Sequence, residues 1–76
     1  MATDSVPLGA TYTPVTSSAS FVAQNKHHYP QEWVRVDGVP PETLEGIEIA
    51  PKQGMNSLSG SGDLYARGAG NVVVIT

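Results

Sequence analysis

Four groups of residues in this sequence have the types, and in part the spacing, to do chemistry. They are the pair His27-His28, the acids Asp37, Glu42, Glu45 and Glu48, the serines Ser57, Ser59 and Ser61 near Asp63, and Trp33 with Arg35. Two histidines suggest a metal, but adjacent residues on a strand project to opposite faces and cannot easily chelate one ion. No third ligand stands at a zinc spacing, so the pair reads as exposed turn histidines, and neither metal nor cofactor is expected. Paired carboxylates hydrolyse glycosides when held roughly 5–9.5 Å apart in a cleft. A chain of 76 residues has little material from which to build that cleft, and the acids read as solvated groups flanking a turn. A serine nucleophile needs a base oriented by a third group, and the only histidines lie far upstream. There is no G-x-S-x-G, no third glycine after Gly60-Ser61-Gly62 and no P-loop ending. The expectation is that the chain is not an enzyme. Trp33 and Arg35, with Tyr29 or Tyr65 nearby, could stack a sugar or peptide. A lone Trp in a small domain more often fills its core, and both readings stand at this point.

Length sets the next limit. A single small domain buries only about 60% of the surface its unfolded chain exposes, and such domains usually add disulfides, a metal or an oligomeric partner. The absence of cysteine removes disulfides and thiolate metal sites. The net charge is −3, with four Lys/Arg widely spaced. Nucleic-acid binding depends on grouped basic residues, so no nucleic-acid partner is expected. No apolar run approaches the ~20 residues that span a bilayer, and Met1-Ala2-Thr3-Asp4 has neither the form of a signal peptide nor the glycine of a myristoylation site. No membrane partner is expected. The placement of charge says more than its sum. Asp4 apart, every charged residue lies between Lys26 and Arg67, so the middle reads as solvated and both ends as neutral.

The elements that would position these groups are short. Residues 1–20, rich in Thr and Ser and punctuated by Pro7 and Pro14, read as an extended N-terminal arm with Val6, Leu8, Tyr12 and Val15 as apolar anchors. Residues 21–76 read as a small β domain. Phe21-Val22 is a short strand. Gln31 to Val36 alternates with period two, Val34 and Val36 on one face, Trp33 and Arg35 on the other. Pro40 to Gly46 carries proline-first, glycine-last signals and predicts one short helical turn. Ile47 to Ile49 is a strand, and 52–62 reads as a flexible loop with Met55 and Leu58 turned inward. Asp63 to Arg67, a glycine turn and Val72 to Thr76 predict a C-terminal hairpin. The fold class is mostly β: a small antiparallel sheet or hairpins, with an arm, one helical turn and long irregular loops.

The last strand raises a question of its own. Val72-Val73-Val74-Ile75 is apolar on both faces and lacks the Lys, Pro or bulge that protects an edge. Either it is central in a tight sheet, or a partner completes it by strand addition or packing. With a neutral arm at the other end, the sequence favours the partner, with Val6, Leu8, Tyr12, Val15, Trp33, Val72, Val73, Val74 and Ile75 as the contact residues.

The same ending, "DLYARGAGNVVVIT", resembles the close of short virion structural proteins of tailed bacteriophages, in which an aromatic-Ala-Arg strand, a glycine turn and a β-branched run finish the chain. "TYTPVTSSAS" is similar to their arms. The resemblance implies a non-enzymatic virion protein made in the host cytoplasm, present in multiple copies or as a homo-oligomer. Its partners would be the major capsid protein or other virion proteins. A capsid decoration or cement protein is the leading expectation. The alternatives are a tail or fibre-attachment protein, and a small sugar- or peptide-binding module using Trp33, Arg35 and Tyr65.

Overall fold

The computed structural model describes residues 3–56 and 62–76. Eight strands follow one another: β1 (Thr3–Pro7), β2 (Thr13–Thr16), β3 (Val22–Asn25), β4 (Gln31–Val36), β5 (Ile47–Ile49), β6 (Gly54–Asn56), β7 (Asp63–Arg67) and β8 (Asn71–Ile75). They form two antiparallel sheets, in the orders β1-β8-β3-β6 and β2-β7-β4-β5. The first strand pairs with the last, the second with the seventh, the third with the sixth and the fourth with the fifth. The chain is therefore one long hairpin rolled up on itself, with two further pairings, β3–β8 and β4–β7, closing the sheets. That is the strand order of a jelly roll, the double-sheet fold built from two Greek keys.

The sheets pack face to face. Ala23 from β3 and Val72 and Val74 from β8 meet Trp33, Ile49, Leu64 and Ala66 from the second sheet, with Phe21 at the margin. Leu8, Val15 and Met55 close over this cluster. The thinnest dimension, 17 Å, matches two layers spaced about 10 Å apart. Alternation explains who enters. In β4, Gln31 and Trp33 point in, and in β8 Val72 and Val74 do, while Val73 and Ile75 turn outward.

Several expectations are corrected here. From Thr3 onward the expected N-terminal arm of residues 1–20 does not stand apart: β1 pairs along its whole length with β8, and β2 lies against β7. Pro7 and Pro14 fit because both strands are sheet edges, where a missing N–H costs no ladder bond. The closing strand is not an open edge. β8 lies between β1 and β3, so its lack of protective residues needs no external partner. The C-terminal hairpin does not form either, because β7 and β8 belong to different sheets. Gly68 and Gly70, at φ 132° and 74°, carry the chain from one layer to the other.

The short helical turn is a single β-turn, with the Leu44 N–H donating to the Pro41 carbonyl at 3.0 Å. The groups that a helix would use are spent elsewhere. Arg67 takes the carbonyls of Glu42 and Leu44, and the Gly46 N–H goes to Glu32. Part of the long loop, Gly54–Asn56, is a strand on β3. Leu58 and the three serines at 57, 59 and 61 lie outside the described residues.

Arg67 is the clamp that fastens the 37–46 connection across the second sheet. Its fork meets both Glu32 oxygens at 3.3 Å, and its carbon stands 4.3 Å from the Tyr12 ring centroid. The Tyr12 hydroxyl donates to the Leu44 carbonyl at 2.7 Å. The hydrogen bond from Arg67, followed by that from the Gly46 N–H, holds the Glu32 carboxyl below its ordinary value. A carboxyl lowered in the folded state stabilises the fold above its unfolded value, about 4.3. That stabilisation is lost as pH falls through the lower folded value. Glu32→Gln should therefore flatten the fall in Tm between pH 5 and 2, measured by circular dichroism. The pair is partly exposed, so solvent screening keeps the effect below about 1 kcal/mol.

Candidate functional site

The outer face of the β1-β8-β3-β6 sheet is assembled by register. Thr3 opposes Ile75 and Ser5 opposes Val73 on one side of β8; Val22 opposes Ile75 and Gln24 opposes Val73 on the other. Asn56 and Gly54 continue the rows onto β6. Among the described residues of these four strands, no charged side chain stands on this face; Lys26 and Lys52 flank its end, where the Lys52 ammonium donates to the Lys26 carbonyl and the Gln24 amide to the Lys52 carbonyl. Asp4 is in register with the inward Val74 and so leaves the sheet on its other side. Val22 and Ile75, directly opposed, are 49% and 37% exposed, with Val73 half-buried beside them.

The opposite face of the molecule has another character. Glu32, Glu48, Asp63 and Arg67 line the outer side of the second sheet, and the acid-bearing 37–46 connection is fastened over it. The molecule is thus two-sided, one sheet face neutral and partly apolar, the other charged.

No family model, curated protein or solved structure matches the chain. Its surface chemistry therefore has to be read from its own residues.

The contact residues expected from sequence divide. Val73 and Ile75 stand on the neutral face. Val72 and Val74 are buried in the core, Trp33 is fully buried, and Tyr12 is buried with its hydroxyl bonded. Val6 is half-buried, in register with Val72, and Leu8 and Val15 pack on the core. These residues hold the sandwich together. The sugar- or peptide-stacking surface built on Trp33, Arg35 and Tyr65 does not form. Trp33 faces inward, while Tyr65 lies in register with Val34 on the other side of the sheet and is 7% exposed. Arg35 donates to the carbonyls of Gly62 and Ala19 and lies 5.9 Å from the Phe21 ring centroid, not on Trp33.

Sequence reasoning missed Val22 as a surface contact, along with Thr3, Ser5, Gln24 and Asn56. The signal was present in the charge pattern. β1, β3 and β8 all come from the two neutral ends of the chain, and antiparallel pairing lays them side by side.

Around the histidines, the rings of His27, His28 and Tyr29 cluster, with centroids 4.3, 4.6 and 5.3 Å apart. Among the described residues no group of three or more metal-ligating side chains occurs, and no helix is long and apolar enough to cross a membrane.

Proposed function

We propose that this chain is a non-enzymatic structural protein that docks in many copies on an assembled protein shell through the neutral outer face of the β1-β8-β3-β6 sheet. The observation that carries the reading is the division of charge: the strands of one sheet put Val22, Val73 and Ile75 and no charged side chain on their outer face, with Lys26 and Lys52 only at its end, opposite a face lined with carboxylates. Such a surface matches an uncharged, partly apolar partner, because burying it strands no ion without a counterion.

Area argues for repetition. Four strands about 4.8 Å apart and three to five residues long give a face of roughly 270 Å² in projection. A stable one-to-one complex usually buries ~800 Å² on each partner. One copy therefore binds weakly, and a repeating lattice supplies the many sites that make weak contacts effective. A protein that binds only the assembled shell also stabilises it by mass action. Jelly rolls occur in viral capsid and lectin domains and in cupins, so the fold alone selects no function. The resemblance of the ending to tailed-phage virion proteins supports a capsid as the shell, with decoration or cementing as the role. The neutral face would lie against the capsid and the charged face would meet solvent.

The test must keep the fold intact. Deleting residues 1–20 would remove two strands and measure folding instead. Val22→Lys with Ile75→Glu places opposite charges on a cross-strand pair, which sheets tolerate, while forcing an ion pair into the interface. Rebinding to purified virions stripped of the chain, measured by co-sedimentation, should fall about 100-fold or more, since the desolvation of a buried pair costs several kcal/mol. Glu45→Gln on the charged side should rebind like the wild type. Equal rebinding of the double variant would overturn the proposal.

A further inference from the structure

Charge is also divided along the strands, from one end of the sandwich to the other. Four connections meet at one end and are bonded to one another: Leu8 donates to Gly70, Gly68 to Gly9, Lys26 to Asn71 and Asn25 to Gln53. Both lysines of the chain, Lys26 and Lys52, stand exposed at this end. At the other end β1 begins and β8 finishes. Asp4 is in register with Val74 there, and Asp63, which opens β7, with Val36, the last residue of β4. Asp37 follows Val36, so all three aspartates of the chain gather away from the lysines. Arg35 stands at the aspartate end too, bonded to the Gly62 and Ala19 carbonyls. The glutamates lie on the outer flank of the second sheet, where the Glu32–Glu48 pair is one step of register in from the lysine end.

Lys52 is held in place against its backbone preference. Ala50 to Gln53 is a tight turn, closed by the Gln53 N–H on the Ala50 carbonyl at 3.0 Å, with Pro51 second and Lys52 third. Lys52 has φ 66°, and among the described residues it alone is left-handed without being glycine. This is the pattern of a type II turn, whose third place favours Gly or Asn because a Cβ there crowds the following carbonyl. The strained residue is nonetheless tied on both sides. The Gln24 amide donates to its carbonyl at 2.7 Å, and its ammonium donates to the Lys26 carbonyl at 2.9 Å. A strained lysine set beside a second lysine is an arrangement that folding alone does not favour. Among the described residues the ion pair is Arg67 with Glu32; Lys26, Lys52, Asp4 and Asp63 have none within the molecule.

We propose that copies of this chain join end to end, the Lys26–Lys52 end of one against the Asp4–Asp63 end of the next. Charge complementarity selects a second copy as the occupant, since each end holds the unpaired charges that the other would neutralise. The four glutamates stay on the flank, outside the contact. Such a contact is heterologous, so it either propagates as a row or closes into a ring. Exposed ion pairs are individually weak, so free chains associate only when concentrated and at low salt. On a surface that holds copies side by side, the same contact becomes effective. It uses none of Val22, Val73 and Ile75, so it extends the proposal of many copies without resting on the shell or on the neutral face.

The test is zero-length carbodiimide coupling of the full chain at millimolar concentration, as an equal mixture of isotope-labelled and unlabelled protein, with the links read by mass spectrometry. The reagent joins an ammonium to a carboxylate only where the two touch, and a link of mixed isotope comes from two copies. Mixed links from Lys26 or Lys52 to Asp4, Asp37 or Asp63 are expected at low salt. They should fall severalfold at about 1 M salt, where the screening length is about 3 Å. Lys52→Gly relieves the turn, so its Tm should rise by several degrees while the Lys26 links fall. In sedimentation velocity, Lys26→Glu/Lys52→Glu and Asp4→Lys/Asp63→Lys should each run as monomers. Their equal mixture should associate, because every end then meets its opposite. No mixed links, mixed links mainly to the glutamates, Lys26 links unchanged in Lys52→Gly, or a mixture no heavier than either charge variant would overturn the proposal.

Discussion

Trp33→Ala is expected to leave the chain largely unfolded at 25 °C. A domain of 76 residues at 0.05–0.15 kcal/mol per residue has about 4–11 kcal/mol of stability. Truncating a buried Trp costs about 3–5 kcal/mol through lost transfer energy and the cavity it leaves. Trp33 is fully buried at the centre of the core shared by both sheets. Its removal also strips the buried Gln31 carbonyl oxygen of its indole donor, adding about 1–3 kcal/mol for an unsatisfied polar group. Trp33→Phe separates the two contributions, since it keeps most of the volume and loses the donor. Urea titration followed by circular dichroism should show Phe clearly less stable than wild type and Ala without a cooperative transition. A cooperative Ala variant within 1 kcal/mol of wild type would mean that the core does not centre on this residue.

Asn25→Ala is expected to cost about 3–4 kcal/mol, from several modest hydrogen bonds and the unpaired groups left behind. The Asn25 amide holds β3 to the end of β5 and fixes the backbone of His27 and Tyr29. Asn25→Asp keeps the acceptor for the His27 N–H but replaces the donating amide with a carboxylate oxygen aimed at carbonyls, so it should be at least as damaging. Both variants should also release the 26–30 connection, seen as loss of amide-exchange protection at His27. A stable Asn25→Ala with unchanged protection there would show that the 26–30 connection is not held from within.

Much of the secondary structure was legible because alternation is a local signal. Gln31 to Val36, Ile47 to Ile49, Asp63 to Arg67 and Val72 to Ile75 announce themselves as strands by β-branched and aromatic content. What the sequence hides is pairing. Thr3 and Ile75 are neighbours across the sheet, yet nothing local to either names the other. The valine run looked like an unfinished edge because its two neighbours, β1 and β3, carry few apolar residues and read as an arm and a stub. The turn before Gly46 looked helical because proline and glycine placement cannot reveal that Arg67 and Glu32 claim its backbone groups. Asn25 stands in a polar stretch, and only its full set of bonds explains its burial. The surface was half legible: the neutral ends were visible as composition, and the rolled hairpin lays β1, β3 and β8 from them side by side while β2 joins the other sheet.

That conversion links sequence to function in this account. Neutral segments at both ends of the chain are costly as loose tails in a small protein with little apolar surface to spare. Rolled into the neighbouring strands β1, β8 and β3, they leave one sheet face whose strands show no charged side chain, while the acids of β4, β5 and β7 line the opposite side.

The most direct test is a photo-crosslinker introduced at Val22, on the neutral face between Ile75 and Asn56, with a second chain carrying it at Glu45 on the charged side, each bound to purified virions and irradiated. The account predicts that the Val22 position crosslinks to the major shell subunit and that the Glu45 position does not. Crosslinking from Glu45 alone, or bound chain with no crosslink from Val22, would contradict it.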